Sequence, residues 1–325
     1  MRWLREHRVG AGIVAMVLVV LAGGGYVFWT SATERAGASV GAPIPGDLLF
    51  IDQSDGRDVV QRVPLSDPDG PRQDTAERCQ RVYSAAGTTV CLRLAGPGPS
   101  YEVAVLGADG RALRTLGLAG IPNRARVSAS GQIVSWTSFV TGDSYAVPGG
   151  FSTRTGVLDL RTGALVESLE DFSTTVAGEP LLSADRNYWG VTVAGDDRTF
   201  YATVSSQNRT WLVKGDLITR TMVEVRPGPE CPSLSPDGTK VAYKKRVGRF
   251  GQWELGVLDL TSRHEQVLPG TTGIDDQAVW LDNTRLAYGR VPGDGQKSSV
   301  FTVPADGSAP PELLVAEASS PVPLR

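Results

Sequence analysis

From Gly46 onward, apolar and polar residues alternate in short runs separated by turn residues, the period-two pattern of half-buried strands. The clearest unit is Glu230 to Leu268, ECPSLSPDGTKVAYKKRVGRFGQWELGVLDLTSRHEQVL. It predicts four antiparallel strands: a near Pro232 to Ser235, b at Lys240 to Lys244, c at Trp253 to Asp259 and d at Glu265 to Leu268. Pro236-Asp237-Gly238 makes the a–b turn, because Pro presets φ and Gly accepts a positive one. The same grammar recurs at 82–93, 126–139, 191–204 and 278–290, and each hairpin is followed by candidates for c and d. Four strands every 40 to 45 residues or so predict a β-propeller, because a lone four-stranded sheet leaves both faces uncovered and must lean on the next.

Five complete a–b hairpins are visible. Before them, Leu48 to Asp52 and Val59 to Pro64 read as a c–d pair without its hairpin, and after them Ala316 to Arg325 can supply one strand. The expectation is an all-β, six-bladed propeller with one incomplete N-terminal blade, closed by the tail; a seven-bladed ring or an open arc are the alternatives.

The N-terminal pattern differs. Val9 to Trp29 carries no charge and is as long as the roughly 20 helical residues that cross a bilayer core. Arg2, Arg5 and Arg8 precede it, and Tyr26 and Trp29 stand where an interfacial aromatic belt would form. The run is longer than a usual signal-peptide core, and the A-x-A-like site Ala36-Gly37-Ala38 lies well past its end, so it reads as an uncleaved anchor ahead of a cleaved signal peptide. The organisation expected is a cytoplasmic tail over 1–8, a transmembrane helix over 9–29, an Ala/Gly/Ser/Pro-rich linker over 30–46 and an extracytoplasmic propeller over 47–325.

SLSPDGTKVAYKKR (Ser233 to Arg246), its weaker copies and the c-strand ELGVLDLTS resemble the repeat of TolB-type β-propellers, a WD-like class named for a Pro-Asp-Gly turn before a hydrophobic strand. The pairing of ECPSLSPDG with DDQAVWLDN behind an N-terminal anchor is similar to a membrane-anchored TolB-like group of high-GC Gram-positive bacteria. The resemblance spans roughly Gly46 to Val315 and implies the propeller fold, but it does not carry function over. TolB itself carries a further α/β domain before its propeller, for which this chain has no room.

Composition narrows the chemistry. With 38 Gly and 21 Pro in 325 residues, these breakers far exceed their combined average of about 12%, which argues against a helical protein. The 2 His and 3 Cys lack metal-ligand spacing, so no metal and no cofactor are expected, and His7 and His264 are badly placed to activate a serine. A formal charge of −3 removes the basic footprint of a nucleic-acid binder.

Residues preceding strand a and residues ending strand b emerge on one face of a propeller. That places Glu230, Asp275 and Asp276 beside Lys244, Lys245 and Arg246 on one rim, a mixed-charge candidate surface for a protein or peptide partner. Asp196-Asp197 fills an a–b turn and reads as an Asx turn. The Asp52 to Asp58 segment resembles a calcium loop only loosely and reads as a hairpin turn. The function expected is a non-enzymatic extracytoplasmic binding or scaffolding module. The alternative is a propeller enzyme acting on a sugar or peptide, which would need Asp275, Asp276 and Glu230 to converge in the channel. Cys79 and Cys91 flank the blade-two hairpin as a candidate disulfide: a three-residue turn would oppose them, whereas a two-residue turn would set Cys91 against Gln80. Cys231 is expected free and buried.

Overall fold

The computed structural model describes residues 16–25, 44–140, 152–248, 252–274, 276–293 and 295–325. The chain divides into two units, Met1–Val40 and Gly41–Arg325. Of the first, residues 16–25 form a helix inside the predicted 9–29 span, whose other residues lie outside the described ones. Among the described residues no helix is long and apolar enough to cross a membrane.

The second unit is a six-bladed β-propeller. Blade 1 contains β1 (Asp47–Asp52), β2 (Val59–Pro64) and β3 (Gln73–Arg78); blade 2 contains β4 (Arg81–Ala85), β5 (Thr88–Leu94), β6 (Tyr101–Leu106) and β7 (Ala112–Leu118). Blade 3 contains β8 (Ile121–Val127), β9 (Ile133–Val140), β10 (Ser152–Asp159) and β11 (Leu165–Val166). A hairpin of β12 (Ser173–Val176) and β13 (Glu179–Pro180) precedes blade 4, whose strands are β14 (Asn187–Val193), β15 (Thr199–Ser206), β16 (Arg209–Asp216) and β17 (Thr221–Pro227). Blade 5 contains β18 (Glu230–Leu234), β19 (Lys240–Val247), β20 (Gln252–Asp259) and β21 (Glu265–Val267). Blade 6 contains β22 (Val279–Trp280), β23 (Arg285–Arg290), β24 (Ser299–Pro304) and β25 (Glu312–Val315), and the chain ends in β26 (Ala318–Pro323).

Closure follows the expected route with a different division of labour. Strand β26 pairs antiparallel with β1, Leu48 opposite Pro323 and Asp52 opposite Ala318, so the tail is the innermost strand of blade 1. The first two strands are therefore b and c, not c and d, and the blade is complete with four strands. Its d strand, β3, escaped the pattern because QDTAER is polar and mostly exposed, with no apolar face to announce it. Strand β12 also escaped: it pairs in parallel with β17 and, with β13, widens blade 4 to six strands, covering an edge that would otherwise stand open.

Six apolar clusters fill the seams between blades. Period-two alternation sends Leu48 and Phe50 to the seam with blade 6 and Leu49 and Ile51 to the seam with blade 2. The blade 2–3 seam holds Val90, Leu92, Val134 and Leu158; the blade 3–4 seam holds Ile133, Val157, Tyr188 and Phe200. Tyr201, Leu212, Val241 and Tyr243 lie between blades 4 and 5, and Ala242, Leu255, Trp280 and Leu286 between blades 5 and 6. Six sheets with six filled seams make a closed ring.

Candidate functional site

The innermost strands β26, β4, β8, β14, β18 and β22 surround the ring axis. Their N-terminal ends follow the d–a connections and define one mouth; their C-terminal ends lead into the a–b turns and define the other.

On the d–a side the expected rim residues separate. Lys244, Lys245 and Arg246 lie within β19 and not at its end, so alternation splits them between two sheet faces. Lys244 is buried with Nζ 4.3 Å from the centre of the Trp253 ring, and the Arg246 guanidinium lies 5.1 Å from the same ring. Glu230, also buried, accepts hydrogen bonds from Trp253 Nε1 at 3.2 Å and Arg246 Nη2 at 3.3 Å. Lys245 points the other way and donates to Glu265 Oε2 at 2.7 Å. Asp276 belongs to a different group, 3.7 Å from Arg124 of blade 3, and Asp275 lies outside the described residues. Glu230 and Asp276 thus have separate partners; the third member of the group that the enzyme alternative needs, Asp275, is not among the described residues.

The channel itself holds side chains that the reading of the sequence passed over. Arg124 and Arg126 alternate along β8, and both are buried. Arg126 reaches across the axis to blade 6, donating through Nη2 to Ala278 O at 2.6 Å and Gln277 O at 3.3 Å, while its guanidinium sits 4.5 Å from the centre of the Tyr83 ring. Gln277 answers from blade 6: its Nε2 donates to Pro232 O of blade 5 at 2.5 Å and Gly190 O of blade 4 at 3.3 Å. Blades 4 and 5 meet closely here, since a Cβ at Gly190, whose φ is +67°, would lie 2.7 Å from Cys231 Cα. The Arg126 and Gln277 bridges tie four blades together across the axis. The signal available in the sequence was NRARV itself, two arginines at alternate positions of a strand otherwise bound for the interior.

Electrostatics follows from this crowding. Burial opposes ionisation of Asp276, but Arg124, Arg81, the Gln277 backbone N–H and Arg126 outweigh it and hold the carboxyl below its ordinary range. Burial lowers the pKa of Arg126, with Tyr83 and Asp276 opposing.

Beyond the bridge, on the a–b side, lies a cavity of about 470 Å³. Every blade contributes to its wall: Pro323 and Arg325 from blade 1, Tyr83 to Ala86 from blade 2, Val127 from blade 3, Val193 from blade 4, Leu234 and Pro236 from blade 5, and Trp280 from blade 6. The surrounding turns are linked in pairs: Ser130 Oγ donates to Asp197 Oδ2 at 2.6 Å, and Asp237 N donates to Asn283 Oδ1 at 3.1 Å. Asp196 is consumed by its own turn, accepting from Arg198 N at 3.0 Å and Thr199 N at 2.8 Å. The Asp52 segment behaves likewise, with Asp52 accepting from Ser54 and Arg72.

Cys79 and Cys91 form a disulfide with a Cα–Cα distance of 5.3 Å. Neither expected register holds: Ala85 pairs with Thr88 around a two-residue Ala86-Gly87 turn, which sets Cys91 opposite Val82. Cys79 precedes β4 in the connection from blade 1, so the bridge fastens an inter-blade link to strand b of blade 2. Cys231 is free and buried. Among the described residues, the group of three potential metal-ligand side chains is Glu77, Cys79 and Cys91, and the disulfide removes both thiolates.

No known family's sequence profile matches the chain, and no curated protein matches it in sequence. Solved structures do. TolB from Acinetobacter baumannii superposes with a TM-score of 0.64 at 13% identity, over 88% of this chain and 69% of that one. What the two share is the β-propeller fold. A putative TolB from Agrobacterium tumefaciens gives 0.51 at 11% identity, over 86% of this chain and 91% of that one. A chain of a nidogen/laminin complex gives 0.56 at 11%, over 85% and 97%. At such identities the likeness is one of architecture, and function must be argued from the site.

Proposed function

We propose that this chain is a non-enzymatic binding or scaffolding module of the cell envelope, anchored to the cytoplasmic membrane by its N-terminal apolar segment with the propeller outside. The partner engages the a–b mouth. The observation that carries this reading is the axial cavity of about 470 Å³ to which all six blades contribute, backed by the Arg126 and Gln277 bridges. Its wall mixes apolar surface from Val127, Val193, Leu234 and Trp280 with polar and charged groups from Ser84, Asp237 and Arg325, which suits a peptide segment with an apolar side chain. The placement outside the cytoplasm is supported by the uncharged run Val9 to Trp29, by the arginines before it, and by a disulfide, which persists in oxidising compartments.

The test is co-purification of the full chain from its native membrane, comparing Leu234→Arg and Val193→Arg at the mouth with Leu113→Arg on the exposed outer strand of blade 2. The mouth variants should lose a protein that wild type and Leu113→Arg retain. Retention of the same proteins by all three would overturn the assignment.

A further inference from the structure

The bridge across the ring axis leaves two polar atoms unused. Arg126 donates through Nη2 to Ala278 O and Gln277 O, and Gln277 donates through Nε2 to Pro232 O, Gly190 O and Val191 O. Those three carbonyls also fix which end of the Gln277 amide is the oxygen. Arg126 Nε and Gln277 Oε1 are buried and have no hydrogen-bond partner within the protein. The two residues are only 7% and 5% exposed, so bulk solvent does not satisfy these atoms either. A buried donor or acceptor left unpaired has given up its hydration for nothing, and native proteins rarely keep one.

Both side chains line one recess of about 20 Å³ on the d–a side of the bridge, with Val82, Tyr83 and Ala125 in its wall. A water needs about 10 to 15 Å³ of such space, so the recess has room for one. Its occupant must accept an N–H from Arg126 and give an O–H to Gln277. A carboxylate or a halide has no proton to give and would set its charge against the Gln277 carbonyl oxygen, while an ammonium has no lone pair for Arg126. Water meets both demands. We propose that this recess binds one ordered water, which accepts from Arg126 Nε and donates to Gln277 Oε1. The water completes the axial bridge, joining the two side chains that tie blades 3 and 6 to blades 4 and 5. This goes beyond the binding role proposed above but bears on it: Arg126 also belongs to the wall of the a–b cavity, and a guanidinium held on two edges gives that cavity a fixed floor.

A crystal structure of the full chain, at a resolution that shows ordered water, tests this directly. The expected map has a single peak within hydrogen-bond distance of both Arg126 Nε and Gln277 Oε1. A second crystal soaked in sodium bromide identifies the species: water gives no anomalous signal at that peak, whereas an exchangeable halide site does. Arg126→Met removes the donor while keeping an unbranched side chain in the channel, and its map should lose the peak. If Arg126→Met does not fold, the wild-type map and the bromide soak decide by themselves. An empty recess, a peak that touches only one of the two atoms, a bromide signal, or a peak that persists in Arg126→Met overturns the proposal.

Discussion

Gly215 shows how single positions set the spacing inside a blade. It pairs with Phe200 on the neighbouring strand, and a Cβ there would fall 2.1 Å from Phe200 Cζ. The same arrangement recurs one blade before and one after: Gly156 lies under Trp136 and Gly256 under Tyr243, each pair in register between strands b and c. An aromatic ring laid over a facing glycine fills the seam without pushing the strands apart. Gly215→Ala should therefore destabilise the domain by about 1 to 3 kcal/mol through overpacking, read as a lowered urea midpoint at unchanged slope. An unchanged midpoint would mean the ring can move aside. At this scale the sequence was legible where side chains follow period two, and illegible where position depends on another blade. Cys79 illustrates the second case: its partner is Cys91, yet no local register predicts it, because Cys79 sits in a connection whose course is fixed by blade 1. Arg126 is the same problem in the channel, since its acceptors lie 151 and 152 positions away.

At the level of elements, the turns carry much of the regularity. Asp237 takes hydrogen bonds from the Ser235 hydroxyl and Thr239 N–H, and Asp259 from Ser262 and Thr261, and both carboxyls are lowered by those donors. In Asp282 burial works against ionisation, but Thr284 and Arg285 bring the pKa to about 2. A folded-state pKa below the unfolded value adds stability that is complete above the unfolded value, near 3.9 for Asp, and is lost as pH falls through the folded one. The urea midpoint should hold steady above about pH 4 and fall between about pH 4 and 2, with Asp282→Asn flattening part of that slope. A midpoint independent of pH across this window would contradict the turn account. Predicted and observed strands agree closely in blade 5: Trp253 to Asp259 and Glu265 to Leu268, placed by alternation, are observed as Gln252–Asp259 and Glu265–Val267. Among the strands that went unseen, Gln73–Arg78 and Ser173–Val176 owe their existence to the edge they pair with. Such edge strands leave little hydrophobic trace.

For the molecule as a whole, closure and the binding face are the consequences that matter. The final strand, with Leu324 just after it, contributes Ala318, Val322 and Leu324 to the seams on both sides of blade 1 and pairs along β1. Deleting 316–325 should open the ring, lower Tm by about 10 °C and expose a strand edge prone to self-association. Melting at the wild-type temperature would show that the tail does not close the ring. The sequence announced six blades because each carries its own a–b hairpin or, in blade 1, visibly lacks one. The rim residues it singled out on the d–a side, such as Glu230 and Lys245, have partners within blade 5, Trp253 for the first and Glu265 for the second. The a–b cavity has no linear signature: it is built from short contributions of every blade and exists only once the ring is closed. The most direct test places a photo-crosslinking residue at Ala86, Val193 or Leu234 around that mouth, and at Leu113 or Leu182 on exposed outer positions, in the full chain in intact cells. Covalent adducts to a common partner from the three mouth positions and none from the outer two are the predicted result; adducts from the outer positions alone would contradict it.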